Sequence, residues 1–486
     1  MVLSQQSMSY KINTQSLFYS ILLVFVTTEL IVTAGQLISG YNLSYVKGTT
    51  TGFVEFSLCL AMCMPALLHL TVKLFARKKP RWFSRTVGGV TLLYLICIAA
   101  IIIASRSRAS WVAAIMGGMV VGFFHLSSRL NFHLRVWHKI ALLLLPALLA
   151  GAFYSIKKDS ADGRMLIWKI TVQELTSGNI TLLPREDNFS AFIGQAQEEY
   201  FSAKERPWQE QKIAGSPDDA YNEYLQILVE DGLVAFMAVL LLLLLLANTL
   251  RKSREETKVP LAGSFVAIVI LTFFSYPLRC TTSLTLAVVF LITCGALALR
   301  QEKTRIVSLC FAYIGVICWF AYQLREDRRL ERALDQSRHI EILCNSKVTD
   351  NLLRCYYNLF PFLNDKPEYI IAYSKALLDQ KKYKRCIKML HQAKHLSGDP
   401  VFPIVEGKCM EQQKLYADAE RLYLKAYYRV PHRIYPLYLL MSMYRDQGRI
   451  GKAKVVAAKI SRIRPKIPSA EFSAMQDSAR VLMSLR

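Results

Sequence analysis

The sequence predicts an all-α protein: a polytopic bundle of transmembrane helices followed by an α-solenoid of paired helices. Three observations predict it. Apolar residues make up 53% of the 486 positions, with a mean hydropathy of +0.26, and a run such as Leu240 to Leu246 cannot be hidden with all the others in a soluble core. Apolar windows close to the ~20 residues that cross a bilayer recur along the first two thirds of the chain. Beyond Asp327 the composition turns charged and tyrosine-rich, and similarity at a fixed period sets in.

The apolar windows place spans at 16–38, 54–75, 87–104, 109–126, 139–156, 227–250, 259–276, 281–299 and 305–323, about nine in all. The first exceeds the core of a signal peptide and reads as an uncleaved anchor. Basic residues gather in the alternate short loops: Arg77, Lys78, Lys79, Arg81 and Arg85, then Arg129 and Arg135, then Arg251, Lys252, Arg254 and Lys258, then Arg300 and Lys303. The opposite loops hold only Lys47, Arg106, Arg108 and Arg279. This bias puts the N-terminus in the cytoplasm, and the long loop 157–226 and the tail on the non-cytoplasmic face, which would be the periplasmic side of a bacterial inner membrane. Two domains result, 1–326 in the membrane and 327–486 outside it.

The formal net charge of +24 is accounted for by this bias and by a basic tail. No interleaved aromatic and basic pattern points to nucleic acid. The eleven cysteines show no metal-ligand spacing with histidine partners, so they are expected as small buried fillers, with a disulfide in the tail as the alternative, and no metal is expected. Polar residues are too few in the spans to build a permeation path, which argues against a transporter. Glu29, near mid-depth of the first span, is either a hydrogen-bonded packing group or a functional carboxyl.

In the tail, Tyr383-x-x-Cys386, Tyr416-x-x-Ala419 and Ile450-x-x-Ala453 recur at steps of 33 and 34, as do Ala393, Ala426 and Ile460, while Pro431 and Pro465 stand 34 apart. Small residues there let two antiparallel helices approach, which is the tetratricopeptide arrangement. Repeats cover about 367–468, with a degenerate pair at 328–366. Such an array either offers a concave surface to a periplasmic protein or steadies the membrane part.

Three pieces carry candidate chemistry. Ser105-Arg106-Ser107-Arg108-Ala109-Ser110-Trp111 lies between two apolar runs, so its guanidiniums stand beside lipid as a receiver for an anionic headgroup or lipid-linked phosphate. Next, Asp162-Gly163-Arg164 opens a segment where Gly163 permits a tight turn and Arg164 and Trp168 share a helix face. The third, Asp218-Asp219-Ala220-Tyr221-Asn222-Glu223-Tyr224, runs through Glu230-Asp231-Gly232 into the leucine-rich span.

Taken together, Ser107-Arg108-Ala109-x-Trp111, Gly163-Arg164-x-x-x-Trp168, and Asn222-Glu223-Tyr224-Leu225-Gln226 with Glu230-x-Gly232 make residues 50–300 resemble the O-antigen ligase-like family of membrane glycosyltransferases. The resemblance implies transfer of a glycan, without a cofactor, from an undecaprenyl-pyrophosphate carrier to lipid A core, a growing glycan or a protein. It also implies that Arg108 and Arg164, reinforced by Arg106 and Arg279, stabilise the departing pyrophosphate. Trp111, Gly163, Trp168 and Asn222 would shape the site.

The chain departs from such proteins at two places. A glycine-rich stretch is replaced by Leu183-Pro184-Arg185-Glu186-Asp187, and Tyr221 stands where a histidine base precedes the asparagine. No histidine lies in 139–338, and a phenol of ordinary pKa near ~10 is a weak base. Either Asp219 or Glu223 takes the proton, or the acceptor needs no strong base, or the chain is a catalytically silent scaffold for envelope polysaccharide assembly. Asp218 and Asp219 are also open to a plainer reading as a helix N-cap pair.

Overall fold

The computed structural model describes residues 13–50, 52–76, 82–130, 158–253, 255–344 and 348–484, together with Leu145, Leu148, Gly151 and Tyr154. Among them every regular element is a helix. The chain forms α1 (Thr14–Ile38), α2 (Phe53–Phe75), α3 (Trp82–Ala104) and α4 (Arg108–Leu130). There follow α5 (Lys158–Glu174), α6 (Phe189–Ser202), α7 (Trp208–Ile213), α8 (Glu223–Glu230), α9 (Gly232–Lys252), α10 (Glu255–Phe274), α11 (Thr281–Ala296) and α12 (Glu302–Cys344). The tail adds α13 (Asp350–Leu363), α14 (Pro367–Asp379), α15 (Tyr383–Gln392), α16 (Val401–Gln412), α17 (Tyr416–Arg429), α18 (Tyr435–Asp446), α19 (Ile450–Arg462) and α20 (Ala470–Ser484).

Among the described residues seven helices are long and apolar enough to cross a membrane, α1 to α4, α9, α10 and α12, as a multi-pass membrane protein requires. Helix is the form such segments must take, because hydrocarbon offers no partner to an unpaired peptide group. Helix α11, expected as a span over 281–299, is apolar but shorter. The span expected at 139–156 lies outside the described residues, apart from four isolated positions, as do Arg77, Lys78, Lys79, Arg81, Arg135 and Arg254.

Two expected spans have different ends. The window 227–250 is not one helix, since Gly232 adopts φ +83 and separates α8 from α9. Leu233 and Val234 then donate their amides to the carbonyls of Thr181 and Leu182 at 2.9 and 3.2 Å. A methyl group on Gly232 would lie 2.7 Å from the Leu183 carbonyl oxygen, so glycine is required by both conformation and space. The window 305–323 does form helix, but α12 continues past the change in composition at Asp327 to Cys344.

The chain divides into two compact units, 1–156 with 221–224 and 237–325, and 157–220 with 225–236 and 326–486. In the first unit α2 is central: Leu58 through Cys63 are fully buried, and α1, α3, α4, α10 and α11 pack around it. Pro65, Gly117 and Gly263 meet where α2, α4 and α10 approach most closely, and a methyl on Gly117 would stand 2.7 Å from the Gly263 carbonyl oxygen. Small residues allow this approach where lipid supplies no hydrophobic drive.

Two contacts fix α4 and α10 as antiparallel. Gly117 faces Gly263, and further along Lys258 lies over the Phe124 ring at 5.2 Å. The start of α4 therefore shares an end of the bundle with the finish of α10. Ser57 at the start of α2 joins that end through a 2.8 Å hydrogen bond between its hydroxyl and that of Ser110. At the other end Lys73, finishing α2, donates to the Gln15 side chain at 2.9 Å and pairs with Glu256 at 3.4 Å.

In the second unit the long loop and the tail fold against one another. Asn188 caps α6 by accepting from the Ala191 amide at 2.9 Å and also donates to the Leu396 carbonyl at 2.5 Å. Gly194 on α6 packs against Gly398 with no room for a side chain on either. Glu198 reaches Lys425 at 3.5 Å and the buried Arg429 at 3.6 Å, both on α17. The recurring small positions are buried: Cys386, Ala419 and Ala453 begin successive second helices, and each helix from α14 to α20 packs on the next.

His432 donates its Nδ1 hydrogen to the Gln211 carbonyl at 3.3 Å. Burial, with Lys466 and Arg433 nearby, lowers its pKa to about 4. The unfolded chain binds that proton more readily, so stability is complete above about pH 6.5 and falls as pH drops toward 4. The loss is at most about 3 kcal/mol. Thermal melts between pH 7 and 4.5 should show a steeper decline for the native chain than for His432→Gln, and equal slopes would remove His432 from this role.

Candidate functional site

The turn between α3 and α4 is held from several directions. Trp111 donates its indole hydrogen to the Ile102 carbonyl at 2.7 Å, closing the turn from the far side. The Ser110 hydroxyl bonds those of Ser107 and Ser57 at 2.9 and 2.8 Å. Arg106, at the apex, takes φ +52, a left-handed conformation that a non-glycine residue keeps only where its surroundings demand it. Arg108 is the first residue of α4, so its guanidinium extends from a helix N-terminus, where the dipole also favours an anion.

The 221–224 segment belongs to the same unit and reaches the connection between α10 and α11. Glu223 is buried and its Oε1 accepts from the Leu278 amide at 2.7 Å, next to Arg279. The Tyr221 ring packs edge-on against Tyr276, centroids 5.6 Å apart, with Tyr221 at φ +53. The Tyr224 hydroxyl bonds that of Thr272 at 3.0 Å, and burial raises its phenol pKa. Asn222, buried, caps α8 by accepting from the Tyr224 amide at 3.0 Å.

The order of ends set out above gathers these residues. Arg106, Arg108 and Trp111 at the start of α4, Arg279 beyond the finish of α10, and Tyr221, Asn222 and Glu223 all lie at one end of the membrane unit. Three basic residues and one buried carboxylate of the candidate set thus share that end, and two of the basic side chains are carried by short, well-tied turns. Such an arrangement can hold a phosphate or diphosphate without a metal.

The other expected residues belong to the second unit. Arg164 and Trp168 lie a turn apart on α5, and Trp168 donates its indole hydrogen to the Ala220 carbonyl at 2.8 Å, which fixes the chain just after Asp219. Gly163 does not make the expected turn. It lies inside α5, and a methyl there would meet its nearest neighbour, the Ile213 carbonyl oxygen, at an ordinary 3.9 Å. Nor are Asp218 and Asp219 the cap of α8, because Asn222 fills that position, while Asp218 accepts from the Ser190 hydroxyl at 3.3 Å.

Sequence reasoning missed Gln226 and Tyr276. Gln226 accepts from the Ala220 amide at 2.7 Å and donates to Glu230 at 2.8 Å, and Glu230 in turn accepts from the Phe189 amide at 2.8 Å. Its signal was its place in the third motif. Tyr276 gave none beyond standing three residues before Arg279. No protein-family model, curated protein or solved structure matches this chain.

Proposed function

We propose that the protein is a membrane glycan transferase that takes an oligosaccharide from an undecaprenyl-pyrophosphate carrier and passes it to an acceptor, lipid A core, a growing glycan or a protein, at the periplasmic face of a bacterial inner membrane. The observation that carries this reading is the collection of Arg106, Arg108 and Arg279 with the 221–224 segment at one end of the membrane unit. Breaking a sugar–phosphate bond leaves growing negative charge on the diphosphate, and prepositioned guanidiniums lower that barrier. Arg164, one helical turn from Trp168, is proposed as a further donor. The tail is read as a tetratricopeptide-like solenoid, and the packing of α6 against α17 favours the chain's own long loop as its first partner.

Glu223 spends an oxygen on the Leu278 amide, which favours Asp219 as the base. Glu223→Gln keeps an acceptor oxygen and should retain the fold and most activity, whereas Glu223→Ala leaves a buried amide unpaired at a cost of about 1–3 kcal/mol. Asp219→Asn should abolish transfer. Deleting the gene and running envelope polysaccharide on a gel, with these variants supplied in trans, gives the test. Full rescue of the banding pattern by Asp219→Asn, Arg108→Ala and Arg164→Ala would reject the transferase reading and leave the silent scaffold, which the tyrosine at position 221 also favours.

A further inference from the structure

Apart from the membrane-unit cluster, the second unit contains a cavity of about 980 Å³ between the loop segment 201–211 and helices α17, α18 and α19. The size lies within the range of small-molecule sites. Its basic lining is Lys204, Arg206, Lys459, Arg462 and Arg464, against Glu205 alone. Its aromatic lining is Phe201, Trp208, Tyr427 and Tyr428.

Several of these groups are already held in place. The Arg206 guanidinium stacks on the Tyr200 ring at 3.6 Å, and its Nε donates to the Tyr200 carbonyl at 3.0 Å. The Gln211 side chain donates to the Arg206 carbonyl at 2.6 Å. Lys459 lies over the rings of Tyr427 at 4.3 Å and Tyr428 at 5.4 Å. Arg462 and Arg464, by contrast, are exposed at the rim, where α19 ends.

We propose that this cavity binds an anionic saccharide, its half-buried Trp208 and Tyr428 meeting the apolar faces of sugar rings and its rim arginines pairing with carboxylate or phosphate groups. Five cations against one anion draw in a negative ligand and repel a positive one. Guanidinium forks suit planar carboxylates, and aromatic walls with a few charged groups are the usual make-up of a site that orients a ligand. The choice of a saccharide over an acidic peptide rests on the transferase reading above. The site would then hold a stretch of glycan distant in sequence from Arg108 and aid processing of a charged chain.

The test uses the full-length protein in detergent and calorimetric titration with trigalacturonate, maltotriose as the neutral control, and hexaglutamate as the acidic peptide. Trigalacturonate should bind, maltotriose and hexaglutamate should bind at least about tenfold more weakly, and Arg462→Gln or Arg464→Gln should each weaken trigalacturonate about tenfold. Circular dichroism melts of both variants control for folding, and both positions are exposed, so each variant backs up the other. No binding of trigalacturonate, binding that both variants leave unchanged, or equal binding of hexaglutamate overturns the proposal. The assay needs no catalysis: binding without any glycan transfer would sink the transferase reading alone, and transfer without binding would sink this site alone.

Discussion

On the proposed transferase reading, Arg108→Ala is expected to lower glycan transfer by about two to three orders of magnitude, the effect of removing one prepositioned donor to a developing anion, while the melting temperature stays close to that of the native chain. The Trp111 and Ser110 hydrogen bonds that close the turn do not use the Arg108 side chain, so they remain in the variant and keep the turn closed. Arg108→Lys separates two roles. A side chain that merely anchors a helix end at the lipid surface is replaced well by lysine, whereas a bidentate grip on a diphosphate is not. The measurement is transfer of a labelled glycan from polyprenyl diphosphate in proteoliposomes, and full activity in Arg108→Lys would assign the residue to anchoring.

Gly398→Val destabilises the second unit by about 3 kcal/mol or more, at the upper end of overpacking costs because backbone meets backbone. The new Cβ would lie 2.2 Å from the Ser190 carbonyl oxygen and 2.8 Å from the Gly194 Cα, and neither can swing aside as a side-chain tip would. The Asn188 and Ser190 hydrogen bonds to residues 396 and 398 would be lost with it. Limited proteolysis reads the outcome: the 157–220 segment should become cleavable at temperatures where the native chain resists. An unchanged cleavage pattern would mean that α6 does not depend on this approach.

The helices of the membrane unit were legible because a bilayer imposes length and apolarity together, and α1 to α4 follow the expected windows within a few residues. The break at Gly232 was passed over because two charged residues do not interrupt an apolar window that runs from Ile227 to Leu250. Its signal was the Glu230-Asp231-Gly232 sequence, where charge and then glycine end a helix. Composition changed at Asp327 while α12 ran on, because a helix can leave an apolar layer without ending.

Arg106, Arg108 and Arg279 were legible as charges stranded between apolar runs, and Arg164 only through the resemblance carried by Gly163-Arg164-x-x-x-Trp168. What placed Arg279 beside the third motif was a bond between Glu223 and the Leu278 amide, 55 residues apart in the chain. The packing of the loop on the tail was hidden for the same reason: Asn188 and Leu396 are 208 residues apart, and no local pattern reports such a meeting. Gly163 misled because glycine often marks a turn, yet here the flanking residues carry the helix through it.

The most direct measurement is mass spectrometry of lipid that remains bound when the protein is purified in mild detergent. The account predicts an undecaprenyl-diphosphate-linked sugar with the native chain, and its loss when Arg106, Arg108 and Arg279 are all replaced by glutamine in a variant that still melts cooperatively. Retention of that lipid by the triple variant, or the absence of any polyprenyl diphosphate from the native protein, would contradict it.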